Sequence, residues 1–176
     1  MSCVNARLRF RREHLDLTSV IETVVLRIKP SLVARRLNLE LRLATRPLPV
    51  HGHPAHLAQI FNNLLDNASK YTPDGGAIDL SVARAGDRIV IALRDTGLGI
   101  KPDARLSVFD PFVQDTHAFG FNGIGLGIGP TLVRELVEAH GGSVVASSSG
   151  HGQGGQFVVT QPTSAGLQGS PAGTTA

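Results

Sequence analysis

The stretch QIFNNLLDNASKY, residues 59–71, predicts an amphipathic helix. Asn63 and Asn67 are four residues apart, so their carboxamides lie on one side of this helix, and Lys70 follows about one turn later. Two interpretations of this polar side are open. It is either a solvated surface, or a surface that binds phosphate oxygens and Mg²⁺ through carboxamide and ammonium groups. The other side has the three-to-four spacing of a buried face, formed by Ile60, Phe61, Leu64, Leu65 and Ala68.

The composition excludes several classes of protein. With 176 residues, of which 41% are apolar, the chain is long enough for one domain with its own core. A net charge of only +3, no Trp and a single Tyr argue against a nucleic-acid-binding module. The single cysteine, Cys3, excludes an internal disulfide framework and is compatible with a reducing compartment.

No apolar run in the sequence approaches the length of a membrane span, and no signal peptide is recognisable. We therefore expect a soluble chain without a membrane span of its own. The expected location is the cytoplasm, and membrane anchoring of a longer parent protein is left open.

The N-terminal half predicts helix, strand and helix. Asp16 or Ser19 caps a first helix that runs to about Arg36, and Pro30 predicts a kink in it. Alternating residues predict a strand over 39–45. The segment around Pro47, Pro49, Gly52 and Pro54 reads as a rigid turn into the helix over 54–71.

The C-terminal half predicts a hairpin, a helix and two closing strands. The strands cover 78–84 and 88–95 and are joined by a short antiparallel turn. A helix follows over 132–140, and strands follow over 143–147 and 156–161. This order predicts an α/β (α+β) two-layer sandwich, in which helices pack on one face of a mixed, largely antiparallel sheet.

Three regions are expected along the chain. Residues 1–15 are polar and basic, which suggests the end of a preceding helix or a linker. Residues 16–161 form the globular domain. Residues 162–176 are rich in Gly, Ser, Thr, Ala and Pro, and we expect them to be disordered.

Two glycine-rich segments carry most of the chemical information. In DTGLGI, residues 95–100, Asp95 ends a predicted strand and could accept a hydrogen bond from an exocyclic amine such as that of adenine. An ordinary Asp-Gly turn is the alternative. In GIGLGIG, residues 123–129, backbone N–H groups in front of a helix would suit phosphate. The alternative, a flexible linker, is disfavoured by the interleaved Ile and Leu. Neither the P-loop nor the dinucleotide-binding spacing is present.

Other candidate residues have weaker patterns. Phe109-Asp110-Pro111-Phe112 is either the anchor of a mobile lid or a small aromatic cluster, and both readings stay open. His51, His53 and His56 are expected to be solvated turn residues, and His140 a helix C-terminal residue. No Cys or paired carboxylate supports a zinc site.

Taken in order, these segments resemble the catalytic ATP-binding domain of bacterial sensor histidine kinases. That domain has the Bergerat fold, which is shared with gyrase-type topoisomerases, a heat-shock chaperone and mismatch-repair ATPases. The resemblance covers about residues 16–161. It rests on four boxes: NNLLDNASKYTPDGG, DTGLGI, VFDPFVQ and GIGLGIG, the last followed by LVRELVEAHGG.

The resemblance implies ATP and Mg²⁺ as ligands and assigns roles to single residues. Asn67 is the implied Mg²⁺ ligand with Asn63 beside it, Lys70 reaches the phosphates, and Tyr71 packs near the base. Asp95 is implied to read the adenine amine. The remaining implied nucleotide contacts are Gly97, Gly99, Ile100, Phe112, Gly125, Leu126, Gly127, Gly129 and Thr131.

Position 63 separates the subfamilies that the resemblance brings together. The ATP-hydrolysing relatives have a glutamate there that acts as general base, whereas Asn63 cannot take a proton. The sequence thus favours transfer of the phosphoryl group to a histidine, with Asn63, Asp66 and Lys70 as the candidate catalytic residues. Two alternatives are a non-catalytic ATP-binding module and a hydrolysing ATPase in which Asp66 orients water.

The resemblance also implies partners. His14 lacks the setting of the family's acceptor histidine, so the acceptor is expected on a separate dimerisation domain of a homodimeric parent, upstream of a response regulator. No nucleic-acid partner is expected. Two departures are Pro130, which removes an N–H at the start of the last helix, and His53, where the family commonly has Asp before Pro54.

Overall fold

The computed structural model describes residues 11–44, 47–100, 109 and 129–165. Three helices lie among these residues: α1 (Leu17–Ala34), α2 (Pro54–Tyr71) and α3 (Gly129–Ala139). The strands are β1 (Glu13–Asp16), β2 (Asn38–Arg42), β3 (Pro49–Gly52), β4 (Ala77–Ala85), β5 (Arg88–Asp95), β6 (Ser143–Ser147) and β7 (Gly155–Pro162).

Five strands form one sheet in the order β2-β4-β5-β7-β6. Strands β2 and β4 run parallel, and the other neighbours in the sheet are antiparallel. The β4–β5 hairpin turns through Gly86, whose φ of 63° suits a residue without a Cβ. The predicted mixed, largely antiparallel sheet and two-layer fold are confirmed.

The core lies between α2 and the sheet. All five apolar residues predicted for the inner face of α2 are buried, from Ile60 to Ala68. They meet the alternate, inward-facing residues of the central strands, among them Leu80, Ile91 and Leu93, which are each 1% exposed. Burial of such a side chain contributes about 1.5–3 kcal/mol, so this contact fixes α2 on the sheet.

A second, two-stranded sheet was not predicted. Strand β1 pairs antiparallel with β3, with Glu13 opposite Gly52 and Asp16 opposite Pro49. The interpretation of residues 1–15 as the end of a preceding helix is therefore wrong for residues 13–15, and the expected turn around Pro49 is wrong. Proline at the first residue of an edge strand removes no needed hydrogen bond, which explains why a proline-rich segment forms β3.

Asp16, and not Ser19, caps α1. Its carboxylate accepts hydrogen bonds from the Thr18 N–H at 3.1 Å and from the Leu48 N–H at 2.8 Å. Burial acts to raise the pKa of Asp16, but these bonds outweigh it, so the pKa lies below the ordinary value. The helix runs through Pro30 and ends at Ala34, since Arg36 has a left-handed φ of 54°.

The ordered chain extends beyond the expected boundary at residue 161. Strand β7 continues to Pro162, the Thr163 N–H donates to the Asp87 carbonyl at 2.8 Å, and the Ser164 N–H donates to the Pro49 carbonyl at 2.9 Å. The predicted disordered tail is thus wrong for residues 162–164. Residues 166–176 lie outside the described part.

His140 joins the end of α3 to the start of α2. It is 3% exposed, its Nδ1 contacts the Leu136 carbonyl at 2.7 Å, and its Nε2 accepts the His53 N–H at 3.1 Å. Because a carbonyl can only accept, Nδ1 carries the proton and the ring is neutral. The His56 ring lies 6.2 Å from His140 and 4.3 Å from His53. His140 is therefore a buried structural residue, and its neighbours are not simply solvated.

Acid is expected to weaken this junction. Burial lowers the pKa of His140, and the nearby charges of Arg12 and His53 lower it further, while the bond to Leu136 opposes them. Burial likewise lowers the pKa of His56. These two histidines therefore bind more protons in the unfolded chain than in the folded one as pH falls below 6.5. For His140, folding stability is lost by up to about 1.4 kcal/mol per pH unit, and the less buried His56 contributes less.

Urea unfolding at a series of pH values measures this loss. His140→Gln should lower the free energy of unfolding above pH 6.5 and flatten its decline below that pH. His151→Gln, on an exposed loop, is the matched control. A pH slope that His140→Gln leaves unchanged would show that His140 is not the titrating group.

Candidate functional site

The carboxamide oxygens of Asn63 and Asn67 converge beside the first residue of α3. A Cβ built on Gly129 would lie 3.9 Å from Asn63 Oδ1 and 4.0 Å from Asn67 Oδ1. The two side chains share this direction because they are one helical turn apart on α2, which packs against α3. Two neutral amide oxygens therefore meet next to a helix N-terminus, whose partial positive charge favours anions.

Asn63 has an unused donor at this place. Its Nδ2 is buried and has no hydrogen-bond partner in the described part of the chain. A buried polar group left unpaired costs about 1–3 kcal/mol, so such groups usually indicate a ligand or water. The pair fits a nucleotide with its metal, because an amide N–H suits a phosphate oxygen and amide oxygens are ligands that Mg²⁺ accepts.

Lys70 and Tyr71 end α2 next to the first glycine segment. Lys70 Nζ lies 5.5 Å from the centroid of the Tyr71 ring, a cation–π distance. The Tyr71 carbonyl accepts the Leu98 N–H at 3.1 Å. Asp66 is exposed on the same helix. The hydrogen bond between Leu98 and Tyr71 thus joins the end of α2 to the segment after β5.

Arg35 secures this helix end, and sequence reasoning missed it. Its guanidinium donates to Asp74 Oδ1 at 3.0 Å, to the Thr72 carbonyl at 2.8 Å and to the Ser69 carbonyl. These contacts satisfy carbonyls that a helix end leaves without intrahelical partners. An arginine after a predicted helix has no distinguishing local pattern, so only the fold reveals the role.

Asp95 lies at the end of β5, where its carboxylate is bound by backbone N–H groups of two glycines. Its Oδ1 accepts the Gly97 N–H at 2.8 Å and the Gly155 N–H at 3.2 Å, while the residue as a whole is 9% exposed. Burial raises the pKa of Asp95, and the two hydrogen bonds oppose that shift. Both bonds end on Oδ1, so neither uses the second oxygen, Oδ2.

Gly97 and Gly99 are required first by the protein's own backbone. A Cβ on Gly97 would lie 2.3 Å from the Tyr71 carbonyl oxygen, and one on Gly99 would lie 2.1 Å from the Gly150 oxygen. Gly99 also has a φ of 73°. The sequence predicts that these glycines allow a ligand to approach closely. The structure adds that a side chain at either position would collide with the protein's own backbone.

The Thr131 hydroxyl makes a hydrogen bond within the protein. This hydroxyl, expected among the nucleotide contacts, donates to the Phe109 carbonyl at 2.8 Å. Phe109 is 8% exposed and meets the Phe157 ring edge-on at 6.1 Å. For Phe109 itself, the structure therefore favours the small aromatic cluster over a free lid anchor.

Several predicted contacts lie outside the described residues. These are Phe112, Gly125, Leu126 and Gly127, with the rest of the second glycine segment up to residue 128. Ile100 is half-buried at the end of a described range. Among the described residues, the predicted contacts thus lie on α2, at Asp95 with the turn that follows it, and in the first turn of α3.

A separate cleft of about 520 Å³ borders the other side of Asp95. Its wall includes Arg94, Gln153 and Gln156 and contains no residue of α2 or α3. Arg94 is exposed and alternates with the inward-facing Leu93 and Asp95 along β5. This cleft belongs to the open side of the sheet, so the two asparagines do not face it.

Comparison with known proteins identifies relatives of this architecture. Residues 52–165 match the family described as histidine kinase-, DNA gyrase B- and HSP90-like ATPases. The alginate biosynthesis sensor protein KinB of Pseudomonas aeruginosa is 33% identical over 147 residues, which are 84% of this chain and 24% of KinB. The chain therefore spans about a quarter of the length of that relative.

Two solved structures share the fold over most of the chain. The mycobacterial sensor histidine kinase MprB superposes with a TM-score of 0.75 at 25% identity, covering 86% of this chain and 97% of that one. Full-length ShkA in complex with AMPPNP superposes with a TM-score of 0.77 at 26% identity, covering 89% of this chain and 32% of ShkA. Within the described ranges, no helix of this protein is long and apolar enough to cross a membrane.

A methyl group at position 97 should disrupt the floor of the site. Gly97→Ala forces Cβ against the Tyr71 carbonyl and should lower the free energy of unfolding by about 1–3 kcal/mol. Gly129→Ala is the matched control, because among the described residues its Cβ meets only contacts of ordinary length, and alanine favours a helix. Urea unfolding compares the two, and equal stability of Gly97→Ala and the wild type would contradict the described packing.

Proposed function

The chain belongs to the family of histidine kinase-, DNA gyrase B- and HSP90-like ATPases, and we propose that it binds Mg·ATP and transfers the γ-phosphoryl group to a histidine. One observation carries the proposal more than any other. The oxygens of Asn63 and Asn67 converge at the first residue of α3, beside a buried amide donor without a partner. This arrangement suits the metal-bound phosphates of a nucleotide.

Asn67, with Asn63 beside it, is the proposed Mg²⁺ site. When bound, Mg²⁺ offsets the charge of the phosphate oxygens and aligns them for transfer. Both protein ligands are neutral, so they orient the ion without cancelling its charge. Lys70, at the end of the same helix, supplies a further positive charge for the phosphates.

Asp95 is the proposed reader of the adenine base. Its Oδ1 is held by the Gly97 and Gly155 N–H groups, which fixes the carboxylate and leaves Oδ2 as the acceptor for the exocyclic amine. Gly97, Gly99 and Ile100 continue from this floor toward the purine, and Tyr71 packs near the base. AMPPNP, bound by the related ShkA, carries the adenine and the three phosphorus groups that this site would hold.

Transfer to histidine is favoured over hydrolysis by the chemistry of position 63. An amide has no basic site that could activate water, whereas an imidazole nitrogen attacks phosphorus without prior deprotonation. The chain's task is then to position the γ-phosphoryl group and neutralise its charge. Asp66, which is exposed on α2, could still orient a water for slow hydrolysis.

The acceptor and the downstream partner are proposed to lie outside this chain. The chain spans 24% of KinB, which leaves room in such a parent for a dimerisation domain carrying the acceptor histidine. We place this domain in a homodimeric parent that works in the cytoplasm and passes the phosphoryl group to a response regulator. The glycine segment over 123–128, with Gly125, Leu126 and Gly127, is proposed to close over the phosphates, with Phe112 and Thr131 nearby.

Two linked measurements test the proposal. Asn67→Ala should weaken ATP binding in Mg²⁺ by at least about tenfold, roughly 1.4 kcal/mol, and leave binding without metal little changed. Asn62→Ala, a neighbouring half-buried asparagine, is the matched control and should bind as the wild type does. Metal-dependent affinity that survives Asn67→Ala would refute the metal assignment.

Phosphoryl transfer is then measured with γ-labelled ATP, Mg²⁺ and a separately supplied dimerisation domain that carries an acceptor histidine. The expected product is a phosphohistidine that is stable to base and labile to acid. Binding without any transfer to several such domains would leave only an ATP-binding module. Steady phosphate release that is lost in Asp66→Ala would instead establish a hydrolysing ATPase.

A further inference from the structure

The two edges of the five-stranded sheet differ in how they are protected. Strand β2 forms one edge and carries Glu40 and Arg42, with Arg42 paired to Asp79 on the neighbouring strand. Charged side chains on an edge strand discourage pairing with other chains. Strand β6 forms the other edge, and residues 141–150, GGSVVASSSG, contain no charged residue and no proline.

The unprotected edge also exposes apolar surface. Val145, in the middle of β6, is 60% exposed and is one of the three exposed large hydrophobic residues found in the described ranges. It stands on the open face of the sheet, opposite Val158 of β7, which is half-buried. Ser143 and Ser147, on the same face, are exposed. An edge strand without charged residues or proline leaves a row of backbone N–H and C=O groups that can pair with another strand.

The sequence of β6 is nearly the same in both directions. It reads Ser-Val-Val-Ala-Ser, with Val145 at the centre. Antiparallel pairing with a second copy about Val145 would place Ser143 opposite Ser147 of the second copy and Val144 opposite Ala146 of the second copy. Each pair joins residues of like polarity, serine with serine and apolar with apolar, which favours cross-strand contacts.

We propose that β6 pairs antiparallel with β6 of a second copy of this chain, across a two-fold axis at Val145. The two five-stranded sheets then become one ten-stranded sheet, and the exposed valines cover each other. A two-fold contact of this kind is self-complementary and closes at the dimer. The charged β2 edges remain outside, so the sheet does not grow further.

A second copy fits the edge better than a strand of an unrelated protein. The nearly palindromic Ser-Val-Val-Ala-Ser pattern gives pairing with an unrelated strand no advantage, whereas in self-pairing it places serine opposite serine and apolar opposite apolar residues. No residue of the proposed nucleotide site lies on β6, so this inference stands apart from the proposed function. A strand of five residues makes a short contact, so we expect the isolated chain to associate weakly. Linkage of two copies within a larger assembly would raise their local concentration and so increase the fraction that is paired.

Disulfide cross-linking tests the register directly. In a Cys3→Ser background, Val145→Cys places two thiols opposite each other, with Cα atoms about 4.5–5.5 Å apart, inside the range that a disulfide spans. Ser143→Cys is the matched control on the same strand. Its two copies lie four residues out of register, about 13 Å apart, and cannot bridge.

Mild oxidation should give at least about five times more cross-linked dimer from Val145→Cys than from Ser143→Cys. An equimolar mixture of Ser143→Cys and Ser147→Cys should cross-link to about half the yield of Val145→Cys, because only the mixed dimers place two thiols opposite each other. Equal yields from Val145→Cys and Ser143→Cys would indicate random collision and overturn the proposed pairing. These residues are exposed, so thermal unfolding should show the variants folded.

Sedimentation of the chain gives an independent test. The wild type should show a dimer that grows with concentration, and Val145→Lys or Val145→Glu alone should reduce it, because like charges then face each other. An equimolar mixture of the two variants should restore it. A wild type that stays monomeric up to about 1 mM, a concentration at which a contact worth only about 4 kcal/mol would already form dimer, would overturn the proposal.

Discussion

The packing of one helix face on the sheet is the constraint on which the site depends. The apolar side of α2 is buried against β4 and β5, so its other side cannot rotate away from α3. That side carries Asn63 and Asn67, and their position next to Gly129 follows directly from the burial of Phe61 and its neighbours. The relative position of Asn63, Asn67 and Gly129 is therefore a consequence of core packing.

A second set of contacts joins the end of α2 to the floor of the site. The Tyr71 carbonyl binds the Leu98 N–H, and Arg35 holds the neighbouring carbonyls of the helix end. The turn after β5 is in turn bound by the β6–β7 loop, where the Gly154 N–H donates to the Gly97 carbonyl at 3.0 Å. The wall from α2 and the carboxylate of Asp95 are thus parts of one hydrogen-bonded frame, as a preorganised site requires.

Local patterns were sufficient for some elements and insufficient for others. Helix α2 and the β4–β5 hairpin were predicted because their periodicity and turn residues lie within a few positions of each other. The β1–β3 pair was missed because it joins Glu13 to Gly52 across 39 positions and uses a proline-rich segment that reads as a turn. The sequence predicts a glycine requirement at Gly99 but not its steric cause. That cause is the Gly150 carbonyl, which is 51 positions along the chain and comes close only in the fold. His140 is a similar case, because only the fold brings it to His53.

The central claim is that Asp95 and the paired asparagines form a site for an adenine nucleotide. The most direct test compares the affinity of the wild-type chain for ATP and for inosine triphosphate, which carries a carbonyl oxygen where adenine carries its amine. A carboxylate that accepts from that amine would meet an acceptor instead, at a cost of about 1–3 kcal/mol. ATP should therefore bind about 10 to 100 times more tightly than inosine triphosphate. Equal affinities for the two nucleotides would contradict the assigned role of Asp95.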